Sequence, residues 1–250
     1  MILTGKIVAW LVLAAAALLG GLPLLLFGVF LYVGSFELLP LGLASGGALA
    51  LDALLSLTFF VQHSGMVRRP FQVRLLTALP AHFHGAVYAI ASGITLLLVL
   101  AFWQKTDIVL YSAQEPVRSL LRGVFFAGIA GLAWAIYTLK HSDALGLRAI
   151  LRHLRSKDAR AVPLALRGPY RFVRHPLYFL MLVLIWACPD VSLDRALFAA
   201  LWSTWIVIGT RLEERDLAAE FGAGYRAYQQ AVPMLIPWRR PRRPDASDGA

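Results

Sequence analysis

The sequence predicts an all-α integral membrane protein with about six transmembrane helices, the last two forming a short hairpin, and a C-terminal cytosolic interfacial helix. Hydrophobic residues make up 59% of the 250 residues and charged residues only 15%, with a mean hydropathy of +0.67. This composition is too apolar for a soluble domain of this length. Six apolar runs, and the concentration of lysine and arginine in alternate connections between them, are the other two observations behind the prediction.

Each run is judged against the ~20 apolar residues that a helix needs to cross the hydrocarbon core. The runs cover residues 7–33, 39–61, 85–103, 117–139, 177–187 and 193–209. They are continuous, so they predict helices whose backbone groups are satisfied within the segment. The first helix is expected to bend at Pro23, which follows two glycines. The fifth run is too short to span the core alone, and it is predicted to form a hairpin with the sixth.

The basic residues predict the orientation. If the N-terminus is cytoplasmic, 20 of the 24 lysines and arginines fall on the cytoplasmic side. The positive-inside rule therefore places both termini in the cytoplasm, in a multi-pass protein expected in a bacterial inner membrane. The net charge of +10 is then explained by topology and by contact with anionic lipids, and no nucleic-acid partner is predicted. The sequence leaves the oligomeric state open.

The chain is predicted to form a single membrane domain over residues 1–238, followed by a disordered basic and polar tail at 239–250. Residues 1–139 would supply four helices, and residues 140–238 most of the cytosolic polar sequence. After the sixth run, a broad apolar face predicts a helix that lies at the membrane surface. The residues of this face are Leu212, Leu217, Phe221, Tyr225 and Tyr228.

The stretch "RGPYRFVRHPLYF", residues 167–179, concentrates polar groups just before the fifth run. Arg174 and His175 are cationic donors beside Pro176, which can open a helix whose free N–H groups favour anions. A carboxylate or phosphate would suit this arrangement. The alternative is a cation cluster that anchors the short helix at the interface.

Two carboxylates are predicted to lie at the same depth, because the hairpin returns Glu213 and Glu214 to the cytosolic side. They could pair with the cations of the previous motif, or both sets could bind a ligand that carries both charges. S-adenosylmethionine is such a ligand. The glycine-rich fingerprint of a soluble dinucleotide site is missing, so the residues alone leave the choice open.

The two motifs "GPYRFVRHPLYF" and "EERDLAAEFGAGYRAYQQAVPMLIP" resemble the C-terminal signature of the isoprenylcysteine carboxyl methyltransferase-like and phospholipid methyltransferase superfamily. This resemblance implies a cytosol-facing S-adenosylmethionine pocket formed by the last two helices and the C-terminal segment. It implies that Arg174 and His175, with Pro176, hold the cofactor carboxylate. Tyr170 and Tyr178 would line the adenosine pocket. Glu213 or Glu214 would bind the ammonium or the ribose.

The N-terminal half narrows the resemblance. "LDALLSLTFFVQHSGMVRRPF", residues 51–71, is similar to the methanethiol S-methyltransferase and NnrU-type group. That resemblance implies an S-methyltransferase acting on a small or lipophilic thiol. Two alternatives stay open: methylation of another lipophilic acceptor, such as a phospholipid amine or an isoprenylcysteine-like carboxylate, or a non-catalytic NnrU-type accessory protein.

Two ionisable residues of this segment are candidates for catalysis. Asp52 lies inside a membrane helix, where a carboxylate is costly unless it is paired or faces water, and His63 lies nearer the cytosolic end. Either could accept the thiol proton, although the charge of the cofactor could suffice without a base. The alternative for Asp52 is a buried position as the partner of an arginine, or with a hydrogen bond to a tyrosine or serine on a neighbouring helix. No metal site is predicted: His82 and His84 suit the interface, and Cys188 is the only cysteine.

Overall fold

A computed structural model describes residues 2–68, 71, 74, 77–139, 143–156 and 167–238, with side chains from residue 5 onward. The predicted disordered tail, 239–250, lies outside the described residues. The elements in chain order are α1 (Ile2–Ala15), a π-helical segment (Ala16–Gly21), α2 (Leu22–Val33), α3 (Ser45–Val67), a short 3₁₀ turn (Ala81–Phe83), α4 (His84–Phe102), β1 (Val109–Ser112), α5 (Val117–Thr138), α6 (Leu147–Leu154), a second 3₁₀ turn (Gly168–Arg171), α7 (Pro176–Trp186), β2 (Asp190–Ser192) and α8 (Leu193–Ala231).

Four helical segments in the described residues are long and apolar enough to cross a membrane. They are Gly5–Val33, Ser45–Val67, Ala81–Phe102 and Val117–Thr138, and Pro176–Trp186 is a shorter apolar helix. The predicted all-α membrane class is therefore confirmed in its coarse form. A count of six spans stays a prediction.

The predicted bounds hold well for α4, α5 and α7, but α3 begins at Ser45 and ends at Val67, about six residues later than its apolar run. The apolar stretch before Ser45 contains Pro40 and Gly42, and Gly42 adopts a φ of 62°. Proline and a left-handed residue both interrupt a helix, so apolarity alone misplaced this boundary. In the first run the irregularity is the π-helical segment Ala16–Gly21, which precedes Pro23.

The chain forms two compact units that interleave along the sequence. The first unit comprises Met1–Ser112, Ser142–Val162 and Asp190–Leu201, and the second comprises Ala113–His141, Pro163–Pro189 and Trp202–Ala250. The expectation of a single domain over 1–238 stays a prediction.

In the first unit, the π-helical segment packs against α4 through small residues. A Cβ atom added to Gly20 would lie 3.0 Å from the Cβ of Ala89, and one added to Gly93 would lie 1.7 Å from the carbonyl oxygen of Leu19. The two backbones approach closely only because these positions lack side chains, as is common between membrane helices. This contact fixes the first helix against α4.

The first unit also contains a short antiparallel sheet of β1 and β2, which was not predicted. The connection before β1 is held by Asp194 in the first turn of α8. Its carboxylate accepts hydrogen bonds from the Trp103 indole at 3.2 Å and from the Thr106 backbone and hydroxyl at 3.0 and 2.9 Å. A buried carboxylate at the start of a helix is stabilised by such donors and by the helix dipole.

In the second unit, α5 packs on α7 through two glycines. A Cβ at Gly128 would lie 2.8 Å from a methyl group of Leu184, and a Cβ at Gly131 would lie at the same distance from a methyl group of Leu180. The 3₁₀ turn that leads into α7 begins at Gly168, with a φ of 59°. Its backbone faces Thr138 at the end of α5, where a Cβ would collide with the threonine side chain.

The long helix α8 is interrupted at Gly222, which has φ 57° and ψ −128°. This conformation is open essentially to glycine alone. The predicted sixth helix and C-terminal helix are thus joined as one helical segment with a break. After the break, Tyr225, Tyr228 and Val232 form a buried apolar cluster. The interfacial position of this final helix stays a prediction.

We expect Gly222→Ala to destabilise the protein by about 1–3 kcal/mol, because a Cβ strains this backbone conformation. A steric clash is not the cause, since no atom lies within 4 Å of a Cβ added at Gly222. Gly224→Ala is the matched control: it also meets open space but has no positive φ, and it should be neutral or stabilising by up to about 1 kcal/mol. Equal thermal unfolding temperatures for the two variants in detergent would contradict this explanation.

Candidate functional site

A hydrogen-bonded cluster of the second unit surrounds the carboxylate of Glu214, which is buried on α8. Its Oε1 accepts hydrogen bonds from Arg174 Nε at 2.8 Å, His175 Nε2 at 2.7 Å and the Tyr225 hydroxyl at 2.7 Å. Its Oε2 accepts from Arg174 Nη2 at 2.6 Å and from Gln229 Nε2 at 2.7 Å. Five donors therefore converge on one carboxylate, and a carboxylate has about four lone-pair sites.

Arg174 links this carboxylate to the end of the chain. Its Nη1 donates to the backbone oxygens of Gln229, at 2.9 Å, and Val232. The backbone N–H groups of Arg174 and His175 donate to the carbonyls of Pro233 and Met234, at 2.9 and 3.1 Å. The segment before α7 and the segment after α8 are thereby fastened side by side.

The electrostatics of Glu214 follow from these donors. Burial alone would raise the pKa of its carboxyl, but the hydrogen bonds from His175, Arg174 and the two neutral donors outweigh burial and hold the pKa well below its usual range. The same contacts act in the opposite direction on Tyr225: burial, and then its bond to the Glu214 carboxylate, raise the pKa of the phenol. Glu214 is therefore ionised in the folded protein throughout the physiological pH range.

Glu213, the neighbouring carboxylate, is much more open. Its side chain is 43% exposed, and its Oε2 accepts a hydrogen bond from the Tyr178 hydroxyl at 2.7 Å. The His175 Nδ1 lies 3.9 Å from the same oxygen, and the His175 ring stacks on Tyr178 at 5.6 Å between centroids. Because α7 starts at Pro176, His175 and Tyr178 are placed on its first turn. A negative charge is thus held in place at an accessible position.

Tyr170 lies in the 3₁₀ turn before α7. The backbone carbonyl oxygen of Tyr170 accepts a hydrogen bond from the Tyr228 hydroxyl. The Tyr170 hydroxyl itself is buried and has no hydrogen-bond partner within the described part of the chain. Burial, then the charges of Tyr228 and Glu213, raise the pKa of Tyr170. A buried hydroxyl without a partner is unfavourable, so it indicates a place where a ligand or water completes the site.

The structure brings together the predicted cofactor residues, which are Tyr170, Arg174, His175, Pro176, Tyr178, Glu213 and Glu214. It also separates their roles. Glu214, Arg174 and His175 mostly bind one another, whereas Glu213 and the Tyr170 hydroxyl keep capacity for a ligand. The sequence left open whether acids and bases pair or bind a ligand. Glu214 pairs with Arg174 and His175, and ligand binding at Glu213 stays a prediction.

The two catalytic candidates belong to the first unit and are not brought together. They are on α3, about 16 Å apart along the helix axis at ~1.5 Å per residue. Asp52 is completely buried; its Oδ1 accepts the backbone N–H of Gln104 at 2.8 Å, and its Oδ2 has no hydrogen-bond partner in the described residues. Its donor is a backbone amide and not the arginine, tyrosine or serine that the sequence suggested, and the role of Asp52 stays a prediction.

His63 lies near the C-terminal end of α3 in a polar network with α4. The Tyr88 hydroxyl is 3.0 Å from its Nε2, and the Ser92 hydroxyl is 3.3 Å from its Nδ1. Phe59 stacks on the imidazole with 5.0 Å between ring centroids. His63 is half-buried.

Sequence reasoning missed several residues of both clusters. Tyr225 was assigned to an apolar face, yet its hydroxyl binds Glu214, and Gln229 gave no local signal at all. Ser92 and Thr95 in α4 are missed in the same way. A period-3.6 pattern of polar residues within an apolar run would have indicated Tyr88, Ser92 and Thr95, which are spaced as one helix face.

Comparison with known proteins identifies the family. Over 80% of this chain and 77% of the relative, the chain is 35% identical to the methanethiol S-methyltransferase of Pseudomonas deceptionensis. It is also 35% identical to methanethiol S-methyltransferase 1 of Bradyrhizobium diazoefficiens, over 77% of this chain and 68% of the relative. Nurim of Rattus norvegicus is more distant, at 25% identity over 68% of each chain.

No family model matches the chain, and no solved structure matches it. The curated relatives nevertheless cover more than two thirds of both sequences at above 30% identity. The resemblance inferred from the "QHSGMVRR" region is thereby confirmed. The chain belongs to the methanethiol S-methyltransferase family, and it is a membrane methyltransferase.

Proposed function

We propose that this protein transfers a methyl group from S-adenosylmethionine to a small or lipophilic thiol, of which methanethiol is the model, to give a thioether such as dimethyl sulfide. The names of the relatives support the reaction and the acceptor. The choice of S-adenosylmethionine as the methyl donor rests on two groups of the same cluster. Glu213 has an exposed carboxylate that is held in place, and the buried Tyr170 hydroxyl has no hydrogen-bond partner in the described residues.

The chemistry of these groups fits S-adenosylmethionine. Glu213 offers a negative charge to the ammonium or the sulfonium, and the Tyr170 hydroxyl can bond a polar atom of the cofactor. Arg174 uses four of its five N–H donors on partners in the described residues, so one Nη2–H is left for the cofactor carboxylate. The bound cofactor would supply a methyl group activated by the positive sulfonium.

The remaining residues would shape this site. Tyr178 orients Glu213 through its hydrogen bond, and His175 stacks against Tyr178 while it donates to Glu214. Pro176 begins α7 and so sets where both side chains lie. Glu214 would act as a positioning residue: it neutralises Arg174 and keeps the two chain segments together. Preorganised contacts of this kind reduce the reorganisation that binding requires.

We propose that the protein lies in a bacterial inner membrane with both termini and the cofactor site on the cytoplasmic side. The support is the positive-inside bias of 20 of 24 basic residues. A reporter fused to the C-terminus that proved periplasmic would contradict this orientation.

Tyr170→Phe tests the cofactor site. We expect about a fivefold to tenfold weaker affinity for S-adenosylmethionine by calorimetry, which corresponds to one hydrogen bond of about 1 kcal/mol. Without cofactor, the unfolding temperature should stay unchanged or rise, because the variant removes a buried hydroxyl that has no partner.

Tyr225→Phe is the control for this experiment. Its hydroxyl donates to Glu214, so its loss should lower the stability of the cofactor-free protein by about 1–2 kcal/mol. If Tyr170→Phe destabilised the cofactor-free protein as much as Tyr225→Phe does, and left the affinity for S-adenosylmethionine unchanged, the assignment of Tyr170 to the cofactor site would be wrong.

The reaction itself is tested with purified protein in nanodiscs. S-adenosylmethionine is added with methanethiol, a prenylcysteine or phosphatidylethanolamine, and S-adenosylhomocysteine and the methylated product are measured. We expect turnover with methanethiol. Turnover with only one of the other acceptors would show that this acceptor, and not a thiol, is the substrate. The absence of both turnover and cofactor binding would contradict the proposed activity of this chain.

A further inference from the structure

Six residues of the connection between α2 and α3 expose an apolar surface in the first unit. We call residues 38–43, with the sequence LLPLGL, the leucine loop. Its leucines are 45–62% exposed: Leu38, Leu39, Leu41 and Leu43. The loop is not helical, and no charged residue occurs between positions 38 and 51. Exposed side chains that form a contiguous apolar surface mark a contact with a membrane or with another molecule.

The side chain of Gln104 provides hydrogen bonds to the backbone at the centre of the leucine loop. Gln104 is buried in the connection after α4. Its Nε2 donates to the Leu39 carbonyl oxygen at 3.0 Å, and its Oε1 accepts from the Leu41 N–H at 2.9 Å. Pro40, which lies between them, has no N–H group. Because an unpaired backbone group is costly in apolar surroundings, this buried amide suits a loop that is removed from water.

The neighbouring spans determine where the leucine loop lies along the first unit. α2 ends at Val33 and α3 begins at Ser45, and each belongs to a segment that is long and apolar enough to cross a membrane. Just before the loop, the Glu37 carboxylate lies 3.5 Å from Lys105 Nζ, and these side chains are 55% and 52% exposed. An exposed ion pair suits the headgroup region. A loop between the ends of two spans is therefore expected at the boundary between headgroups and acyl chains.

We propose that the leucine loop inserts its side chains among the acyl chains of the adjacent leaflet, and that Gln104 holds the loop in this conformation. The partner is the apolar part of a phospholipid, bound by hydrophobic contact without recognition of a headgroup. Irregular backbone is not exposed to lipid in the hydrocarbon core, so the backbone of the loop stays at the boundary. A protein partner fits less well, since hot spots of protein interfaces are rich in tryptophan, tyrosine and arginine and poor in leucine. The inference is independent of the proposed reaction.

A nitroxide attached to a single cysteine measures the depth of the loop in nanodiscs. Each variant also carries Cys188→Ser, which removes the natural cysteine. Leu41→Cys places the label in the loop. Leu25→Cys, at a 72% exposed position of α2, is the lipid reference, and Asp107→Cys, at an exposed charged position before β1, is the water reference.

We expect the Leu41 label to respond more strongly to oxygen, which concentrates in lipid, than to a water-soluble nickel chelate, as the Leu25 label should. The Asp107 label should show the reverse order. A Leu41 label that behaves like the Asp107 label would overturn the proposal. Protection of the Leu41 label from both reagents would show that a second copy or another protein covers the loop, and it would overturn the proposal equally.

Two further variants test the loop without relying on one label. Leu41→Asp should lower the unfolding temperature in nanodiscs by about 3–6 °C, because it removes apolar contact with lipid and adds a charge there. An unfolding temperature that stays the same or rises, as for an exposed leucine in water, would overturn the proposal. Gln104→Leu, which removes both hydrogen bonds to the loop, should shift the Leu41 label toward water. An unchanged depth would contradict the role given to Gln104.

Discussion

Replacing Glu214 with alanine is expected to lower the free energy of unfolding by about 3–5 kcal/mol, because it leaves the Arg174 guanidinium without its counter-charge and the buried His175 ring without its hydrogen-bond partner. In a chain of this length, that loss should lower the unfolding temperature by on the order of 10 °C. Methyl transfer should fall with it, since Arg174 also holds the backbone of Gln229 and Val232. Thermal unfolding in detergent and S-adenosylhomocysteine release measure the two effects.

Glu213→Gln is the matched control, one residue away on the same helix. Its side chain is 43% exposed and keeps an oxygen for the Tyr178 hydroxyl, so its unfolding temperature should change little. Its affinity for S-adenosylmethionine should fall, because the proposed contact with a cation is lost. If Glu213→Gln unfolded as early as Glu214→Ala, the proposed difference between the two carboxylates would be wrong.

The depressed pKa of Glu214 also gives the effect a pH dependence. A carboxyl whose folded pKa lies below its unfolded value contributes stability that is complete above the ordinary pKa of ~4.3 and is lost as the pH falls toward the folded pKa. Wild-type stability should therefore decline more steeply below about pH 4 than that of Glu214→Gln, which cannot titrate at this position. Parallel declines would show that other groups control the acid sensitivity.

Gly93→Ala is expected to prevent the first unit from folding, or to destabilise it by more than about 3 kcal/mol, beyond the usual range for overpacking. The added Cβ would lie 1.7 Å from the Leu19 carbonyl oxygen and 2.7 Å from the Leu19 carbonyl carbon. Both are backbone atoms, so no side-chain rotation can relieve the overlap. Expression of folded protein in the membrane fraction and its unfolding temperature are the measurements.

Gly28→Ala is the control for that substitution. Gly28 lies in α2 of the same unit, and a Cβ there meets no atom within 4 Å. It should leave stability unchanged or raise it by up to about 1 kcal/mol through helix propensity. A Gly93→Ala protein as stable as Gly28→Ala would mean that the π-helical segment does not pack on α4 as described.

The sequence was sufficient for the membrane class and for the bounds of the three helices α4, α5 and α7. It also indicated that Arg174, His175, Glu213 and Glu214 lie close together, while their role in cofactor binding stays a prediction. Long apolar runs are a local property, and so is the capacity of "RHP" and "EE" for charged partners. The predicted start of α3 was wrong because Pro40 and Gly42 interrupt a helix even within an apolar stretch. The β1–β2 sheet was not predicted because its strands are short and lie far apart in the sequence.

What only the tertiary structure decided is which charged groups bind each other and which stay exposed. Glu213 and Glu214 are the same residue type, but successive helix positions point about 100° apart, so Glu214 accepts five hydrogen bonds while the side chain of Glu213 stays 43% exposed. Asp52 and His63 likewise lie on one helix but have different neighbours. Asp52 accepts a hydrogen bond from the Gln104 backbone after α4, and His63 contacts the Tyr88 hydroxyl on α4. Composition and motif determined the family and the chemistry available to this chain. Burial and hydrogen bonding between distant segments assigned that chemistry to individual side chains, because those interactions depend on three-dimensional neighbours that no local pattern encodes.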